Sequence, residues 1–307
     1  MVELYDVIII GGGPAGLTAG LYSARARLKT LLLEKAFVGG QIVNAERVDN
    51  YPGFPEGIAG FDLVMFMQQQ ATKYDLEIAN TEVTAIENKG KYHKLVSTTD
   101  GSYEAKALII AGGAEHNHLA VPGEQEFMGR GVSYCATCDG AFYRDQAVAI
   151  VGGGDSAVVE AVSLTKFASK VYVIHRRDQL RASKLVQEQA FANEKIEFIW
   201  NTVVEAIEGD AKVQKLIIKN VKTKVQSALE VAAIFVSIGL HPNTEYLKDI
   251  VSLDDEGYIV TNEKLETDAP GILAAGDIRQ SSVRQVVVAA GDGATAAIYT
   301  EKYVAGL

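Results

Sequence analysis

Only two of the 307 residues are cysteine, which excludes the dense disulfide framework that holds small secreted domains together. Positive charge is also scarce. Lysine and arginine number 29 against 39 acidic residues, a net charge of −10, and a chain built to follow nucleic acid phosphates or anionic lipid would need the opposite balance. Long apolar runs are missing too, since none reaches the roughly 18 uninterrupted residues of a membrane span. The N-terminus carries Glu3 and Asp6 where a secretory leader would be positive, and the apolar run behind them is interrupted by glycines. These absences predict a cytoplasmic protein without nucleic acid or membrane partners, in which any basic site is local.

What the chain does have is enough apolar material for two cores. Hydrophobic residues make up 48% and charged residues 22%, values typical of folded globular chains. A chain of this length exceeds the usual span of about 100–200 residues for one domain, so two are expected.

An internal repeat supports that division. Tyr5 to Ile10 reads as a buried parallel strand, followed by the turn Gly11-Gly-Gly-Pro-Ala-Gly16 and a helix to about Arg27. Ala147 to Val151 reads the same way, followed by Gly152-Gly-Gly-Asp-Ser-Ala157 and a helix to about Lys166. Second strands follow at Thr30 to Leu33 and at Lys170 to Ile174. Glu34 and His175 each lie 23 residues beyond the first glycine of their copy, so the copies are in register. Ala107 to Ile110, ending in Ala111-Gly-Gly-Ala114, reads as a strand and tight turn. Ile272 to Ala275, ending in Gly276-Asp277, reads as another buried strand, and Gln285 to Val304 as a long helix. The late segment looks like a partner of the first unit, which predicts that the second unit is inserted into the first, with crossings near 115 and 245.

The glycine spacing suits a dinucleotide in both copies. Gly11 makes the tight turn, Gly13 lets the backbone approach a pyrophosphate, and Gly16 lets the helix pack on the strand. Glu34 is placed to accept hydrogen bonds from a ribose. A glycine turn without a ligand is the plainer alternative. In the second copy the carboxylate gives way to His175-Arg-Arg-Asp-Gln-Leu-Arg181. A 2′-phosphate would repel a carboxylate and suits bidentate guanidinium groups, so this copy is expected to take NADPH rather than NADH; a solvated basic run is the alternative. Two dinucleotide sites imply two dinucleotides, and a flavin with a nicotinamide is the pair that exchanges a hydride.

Cys135-Ala-Thr-Cys138 has a spacing shared by zinc half-sites and redox dithiols. A structural zinc needs four ligands, no second cysteine pair exists, and the five histidines offer only His116-x-His118. Beside hydride cofactors a reversible disulfide is the better use. Asp139 follows directly and could exchange a proton with a thiolate, or could be an ordinary turn or cap residue.

Taken together, these segments resemble the low-molecular-weight, bacterial-type thioredoxin reductases over essentially the whole chain. The resemblance is carried by Gly11 to Gly16 with Tyr22-Ser-Ala-Arg25, by Gly39-Gly-Gln41, by Asn50-Tyr-Pro-Gly-Phe54 and by Gly131 to Gly140. Gly152 to Ala157, His175 to Asp178 with Arg181-Ala182, Gly239 with Pro242-Asn-Thr244, and Gly276-Asp277 with Arg284-Gln285 complete it. The Cys-Ala-Thr-Cys-Asp segment is the most specific. The sequence departs from the family pattern at Ala111-Gly-Gly-Ala114, where threonine usually follows the alanine.

The resemblance implies an α/β fold of two Rossmann-like, three-layer ββα dinucleotide-binding domains. An FAD domain would comprise 1–115 and 246–307, and an inserted NADPH domain carrying the cysteines 116–245. FAD would be held by Gly11, Gly13, Pro14, Ala15, Gly16, Glu34, Lys35, Gly40, Gln41, Asn50, Gly112, Gly276, Asp277, Arg284, Gln285 and Val286. NADPH would be held by Gly152, Gly154, Asp155, Ser156, His175, Arg176, Arg177 and Arg181. Cys138 would face the flavin, Cys135 would exchange with a thioredoxin, and Asp139 would act as acid and base. A homodimer is implied as well, and rotation of one domain against the other about the two crossings. Competing expectations are a related reductase serving a glutaredoxin-like or peroxiredoxin-linked partner, and an FAD-binding redox sensor without turnover.

Overall fold

The computed structural model describes residues 4–45 and 47–306, so Glu3 of the acidic N-terminus lies outside the described residues. The chain forms two compact units, one made of 1–115 with 241–307 and the other of 116–240. The return crossing therefore falls at 240/241 rather than near 245. That boundary falls inside the short strand Leu240–Pro242.

In chain order, the first unit runs β1 Leu4–Ile10, α1 Pro14–Arg25, β2 Thr30–Glu34, α2 Gly60–Thr72, β3 Glu77–Asn80, β4 Val83–Gly90, β5 His93–Thr98, β6 Gly101–Ile110 and β7 Ala114–His116. The second unit follows with β8 Val132–Ser133, α3 Ala136–Asp139, β9 Ala147–Val151, α4 Asp155–Leu164, β10 Lys170–Ile174, α5 Lys184–Phe191 and β11 Ile196–Ile199. Strands β12 Thr202–Gly209, β13 Val213–Asn220, β14 Gln226–Glu230 and β15 Ala233–Val236 close it. The chain returns through β16 Leu240–Pro242, which pairs with β7, and ends with β17 Ile272–Ala274 and α6 Val286–Ala305.

Each unit is a parallel sheet between a helical layer and an antiparallel meander. In the first, β3-β2-β1-β6 is extended by β17 on the C-terminal part of β6, while the N-terminal part of β6 pairs antiparallel with β5 and β5 with β4. Strand side chains alternate between faces, so β1 serves two cores at once. Val7 and Ile9 pack with Leu17 and Ala296 of α1 and α6, and Tyr5, Ile8 and Ile10 pack with Ile86 and Val96 of the meander. The second unit repeats the plan with the sheet β11-β10-β9-β15-β8 and the meander β12-β13-β14. Val148 and Ile150 face Ala157 and Leu164 of α4, whereas Ala149 and Val151 face Val204 and Leu216. Burial on both faces is why these strands read as continuous apolar runs.

No helix among the described residues is long and apolar enough to cross a membrane.

Candidate active site

In the first unit the glycine turn sits where β1 ends and α1 begins. Gly11 has φ +107, and a Cβ there would lie 2.4 Å from the Ala111 carbonyl, beside Gly112. A Cβ on Gly16 would lie 1.8 Å from the Gly11 carbonyl, so only hydrogen allows α1 to start this close to the strand. Gly13 differs. Its absent Cβ would meet only the Gly40 Cα, at 4.0 Å, and Gly13 caps α1 without any side-chain acceptor on the first N–H groups. Pro14 occupies the first helical turn, where no N–H is needed.

Glu34 ends β2 over this turn. Its Oε2 accepts from the Gly12 N–H at 2.7 Å and its Oε1 from the Ala36 N–H at 3.0 Å. The Gly12 carbonyl accepts from Gly39 N–H at 2.8 Å, which brings the Gly39-Gly40 turn against Gly13. Gln41 donates its amide to the Ala114 carbonyl. A Cβ on Gly276, at φ +79, would lie 2.9 Å from the Ala15 Cβ. The structure thus gathers Gly11 to Gly16, Glu34, Gly40, Gln41, Gly112 and Gly276 around one turn. Lys35 points elsewhere, to Glu115 at 3.6 Å. Asn50 and Gln285 meet each other through an amide hydrogen bond of 3.0 Å, one residue before Val286 opens α6. Asp277 accepts from the Ser282 hydroxyl, and burial holds its carboxyl above the usual carboxylate range. Arg284, at φ +58, donates to the Tyr258 hydroxyl.

The second unit reproduces the turn with other chemistry. A Cβ on Gly152 would lie 2.3 Å from the Ser237 carbonyl, whereas Gly154 has no atom within 4 Å of where its Cβ would be, and it caps α4 without a side-chain partner. His175 directly follows β10 and lies over Gly153, whose Cβ would come 2.2 Å from the imidazole. The ring is buried, and its Nε2–H donates to the Gln179 carbonyl at 3.1 Å. Burial first, and then the positive charge of Arg177, Arg176 and Arg181, lowers its pKa below the ordinary histidine value, so it is neutral at neutral pH.

The Gly153 carbonyl accepts from the Arg181 N–H at 2.7 Å, which draws the arginine-bearing loop onto the turn. Arg176, Arg177 and Arg181 are all exposed. The one acid in their loop, Asp178, is engaged 2.7 Å from Lys222 instead. Asp155 accepts from the Ser183 N–H at 2.9 Å, and Ser156 is exposed beside it in the first turn of α4.

Cys135 and Cys138 form a disulfide, with their Cα atoms 5.3 Å apart. The one-turn helix α3 between them accounts for that distance: Cys135 caps it in an extended conformation, and its carbonyl accepts from the N–H groups of Cys138 and Asp139. The Cys138 N–H also lies 3.2 Å from the Cys135 sulfur. Ser133, not anticipated from the sequence, links the parts. Its hydroxyl donates to Asp139 Oδ2 at 2.7 Å and accepts from the Cys135 N–H at 3.1 Å. Burial pushes the Asp139 carboxyl above its ordinary value, and the Ser133 hydrogen bond only partly offsets this. A carboxyl that keeps its proton into a higher pH range can hand it to a departing thiolate. Among the described residues no three His, Cys, Asp or Glu side chains gather as a metal site.

Asp292 and Arg279 also escaped sequence reading. Asp292 Oδ2 accepts from the Gly276 N–H at 3.0 Å and from both Nε and Nη2 of Arg279 at 2.9 Å, and the pair is largely buried. It fixes the backbone on which Asp277 stands. Neither residue belongs to a recognisable motif, so only their juxtaposition reveals them.

A family model described as pyridine nucleotide-disulphide oxidoreductase matches residues 5–293. The thioredoxin reductase of Bacillus subtilis (strain 168) is 48% identical over 303 residues, covering 98% of this chain and 95% of its own length. Among solved structures, the thioredoxin reductase of Streptococcus pyogenes MGAS5005 is 47% identical with a TM-score of 0.96, covering 100% of both chains. The Lactococcus lactis thioredoxin reductase in its FR conformation is also 47% identical and covers 99% and 100% of the two chains, with a TM-score of 0.67.

Proposed function

Because the chain belongs to the pyridine nucleotide-disulphide oxidoreductases, and within them to the thioredoxin reductases, we propose that it carries electrons from NADPH through FAD to its Cys135–Cys138 disulfide and on to the disulfide of a thioredoxin. The observation that carries this reading is that the redox pair shares one compact unit with an arginine-bearing glycine turn, while the other unit holds a carboxylate-bearing turn of the same shape. Gly13 and Gly154 both leave room for a ligand, and the helices they cap have uncapped first N–H groups suited to a pyrophosphate.

The first unit, 1–115 with the C-terminal return, is the FAD domain in this reading. Glu34 accepts from ribose hydroxyls, and the residues from Gly11 to Gly16 with Gly40, Gln41, Gly112 and Gly276 line the phosphate side. Lys35, Asn50, Asp277, Arg284, Gln285 and Val286 are assigned to the same cofactor through the resemblance. The second unit takes NADPH at Gly152, Gly154, Asp155 and Ser156. Arg176, Arg177 and Arg181 bind the 2′-phosphate, and the neutral His175 adds no carboxylate to oppose it.

When bound, NADPH supplies a hydride and FAD converts it to the electron pair that opens a disulfide. Cys138 is assigned to accept that pair and Cys135 to interchange. The Cys135 thiolate attacks one sulfur of the partner disulfide, a mixed disulfide forms, and the partner's second sulfur leaves as thiolate. Cys138 then attacks the Cys135 sulfur, restoring the internal disulfide and releasing the partner's first thiolate. Asp139 gives a proton to a departing sulfur and regains it from the next thiol. A cytoplasmic setting suits a donor of reducing equivalents, and a homodimer is proposed from the resemblance.

Anaerobic titration tests the reading: NADPH should bleach a bound flavin and expose two thiols by alkylation. A protein that binds no flavin, or whose flavin reduction leaves the disulfide closed, would overturn it.

A further inference from the structure

The second unit holds a polar cluster that the mechanism above leaves unused, centred on Glu124. Its side chain is only 3% exposed, and a carboxylate withdrawn so far from water must find donors. Three supply them. The N–H groups of Leu119 and Ala120 donate at 2.8 and 2.7 Å, and the Tyr134 hydroxyl donates at 2.7 Å. The Tyr134 oxygen lies 2.7 Å from His118 Nδ1. With the phenol proton committed to Glu124, the imidazole N–H must donate and the phenol accept. Burial and Glu124 raise the Tyr134 pKa far above the ordinary tyrosine value, so the group stays a hydroxyl. The ring is gripped as well, by His116 at a centroid distance of 4.9 Å and by His118 edge-on at 5.4 Å.

The segment around the cluster is held against its own preferences. Ala120 sits at φ +57, unusual for a residue with a Cβ, and its N–H is one of the two bound by Glu124. Glu124 is itself placed by the Pro122–Gly123 turn, in which Gly123 has φ +87 and a Cβ would lie 2.0 Å from the Ile207 carbonyl. The Pro122 carbonyl accepts from the Ile207 N–H at 2.9 Å, pinning the turn to β12. A strained alanine beside an over-determined carboxylate is the kind of outlier that points to a built device.

Its output is Tyr134, whose backbone runs straight into Cys135. We propose that Glu124, Tyr134 and His118 form a positioning chain for the redox pair, fixing the approach of the backbone to Cys135 so that the two sulfurs stay at high effective concentration for each other. Ser133 holds the Cys135 N–H from within the turn, and the Tyr134 ring holds the same stretch from the meander side. The three are argued to act through the backbone and not on the reacting sulfurs, so they are positioning residues, and the inference rests on Cys135 and Cys138 being the redox centre.

The test is the redox equilibrium of the pair, read by alkylation and mass in dithiothreitol buffers of graded oxidation state. Tyr134→Phe keeps the ring and removes the bridge. It is expected to lower the ring-closing equilibrium constant about tenfold, which is about 30 mV for a two-electron couple, and His118→Ala about threefold. His118→Asn, whose amide can donate from the position of Nδ1, should restore the wild-type value. A folded Tyr134→Phe with an unchanged equilibrium would overturn the proposal. So would a His118→Asn no better than His118→Ala, and the His118 pair decides the matter if Tyr134→Phe does not fold. A wild-type pair that never cycles would overturn the functional reading first, and this one with it.

Discussion

The two glycine turns differ at the end of the second strand and in the loop that follows it. In both, a side chain at the end of the second strand, Glu34 closing β2 and His175 just after β10, lies over the middle glycine, and the carbonyl of that glycine receives an N–H from the loop beyond, Gly39 in one unit and Arg181 in the other. In both, a Cβ on the third glycine of the motif would meet nothing closer than 4.0 Å, and the helix start there is uncapped. The backbone frame is therefore common. The first unit puts the Glu34 carboxylate on that frame, whereas the second puts a buried neutral imidazole followed by three exposed guanidinium groups. In the proposed reading, pyrophosphate binding belongs to the shared turn, and discrimination between dinucleotides belongs to the strand end and the loop after it.

The second unit also has what the first lacks, the cysteine pair, and breaking it should have the largest effect. Cys138→Ser should cut thioredoxin turnover by more than roughly 10⁴-fold, the scale of losing a nucleophile, while the first unit keeps its flavin. Cys135→Ser should be as inactive but should show a long-wavelength absorption band that Cys138→Ser lacks, because it leaves a thiolate at 138. The reverse spectra would mean that the two roles are exchanged.

Next in size is Asp139→Asn, expected to slow turnover by roughly 10²–10⁴, the usual contribution of a general acid. Its stability should move the other way. The wild-type carboxyl has a raised folded pKa, so its contribution to folding is most favourable below the ordinary aspartate range and is lost as pH rises through the raised value. The melting temperature of the variant relative to wild type should therefore climb with pH across that window and then level off. A difference that stays flat with pH would contradict the assignment.

The smallest effect bears most directly on the comparison itself. Replacing Arg176 and Arg181 with glutamine should raise KM for NADPH about 10–100-fold per residue, since hydrogen bonds to charged groups contribute about 1.5–3 kcal/mol, and should leave KM for NADH nearly unchanged. Equal effects on both nucleotides would remove the distinction between the two turns.

How much of this was legible in the sequence follows from how local each signal is. The strand, turn and helix at Tyr5 to Gly16 and at Ala147 to Ala157 stand contiguously in the chain, and the in-register offset of Glu34 and His175 needs no folding to be seen. The antiparallel meanders entered only through the resemblance, as the second β layer of each domain, and none of their strands was read from the residues. Strand β4 is mostly exposed and β14 almost entirely so, which leaves little apolar periodicity to find, and their pairing is fixed by partners distant in sequence. Ser133, Glu124 and the Arg279–Asp292 pair are ordinary residue types in unremarkable contexts. Their roles arise from hydrogen bonds across a turn or between segments.

The central claim is a continuous electron path from NADPH to a thioredoxin disulfide, and steady-state oxidation of NADPH in the presence of oxidised thioredoxin measures it directly. Absorbance loss at the nicotinamide band should depend on thioredoxin, should match the thiols formed at one NADPH per disulfide reduced, and should vanish in Cys135→Ser. NADPH oxidation that proceeds at the same rate without thioredoxin, or that continues undiminished in Cys135→Ser while thioredoxin stays oxidised, would contradict the account.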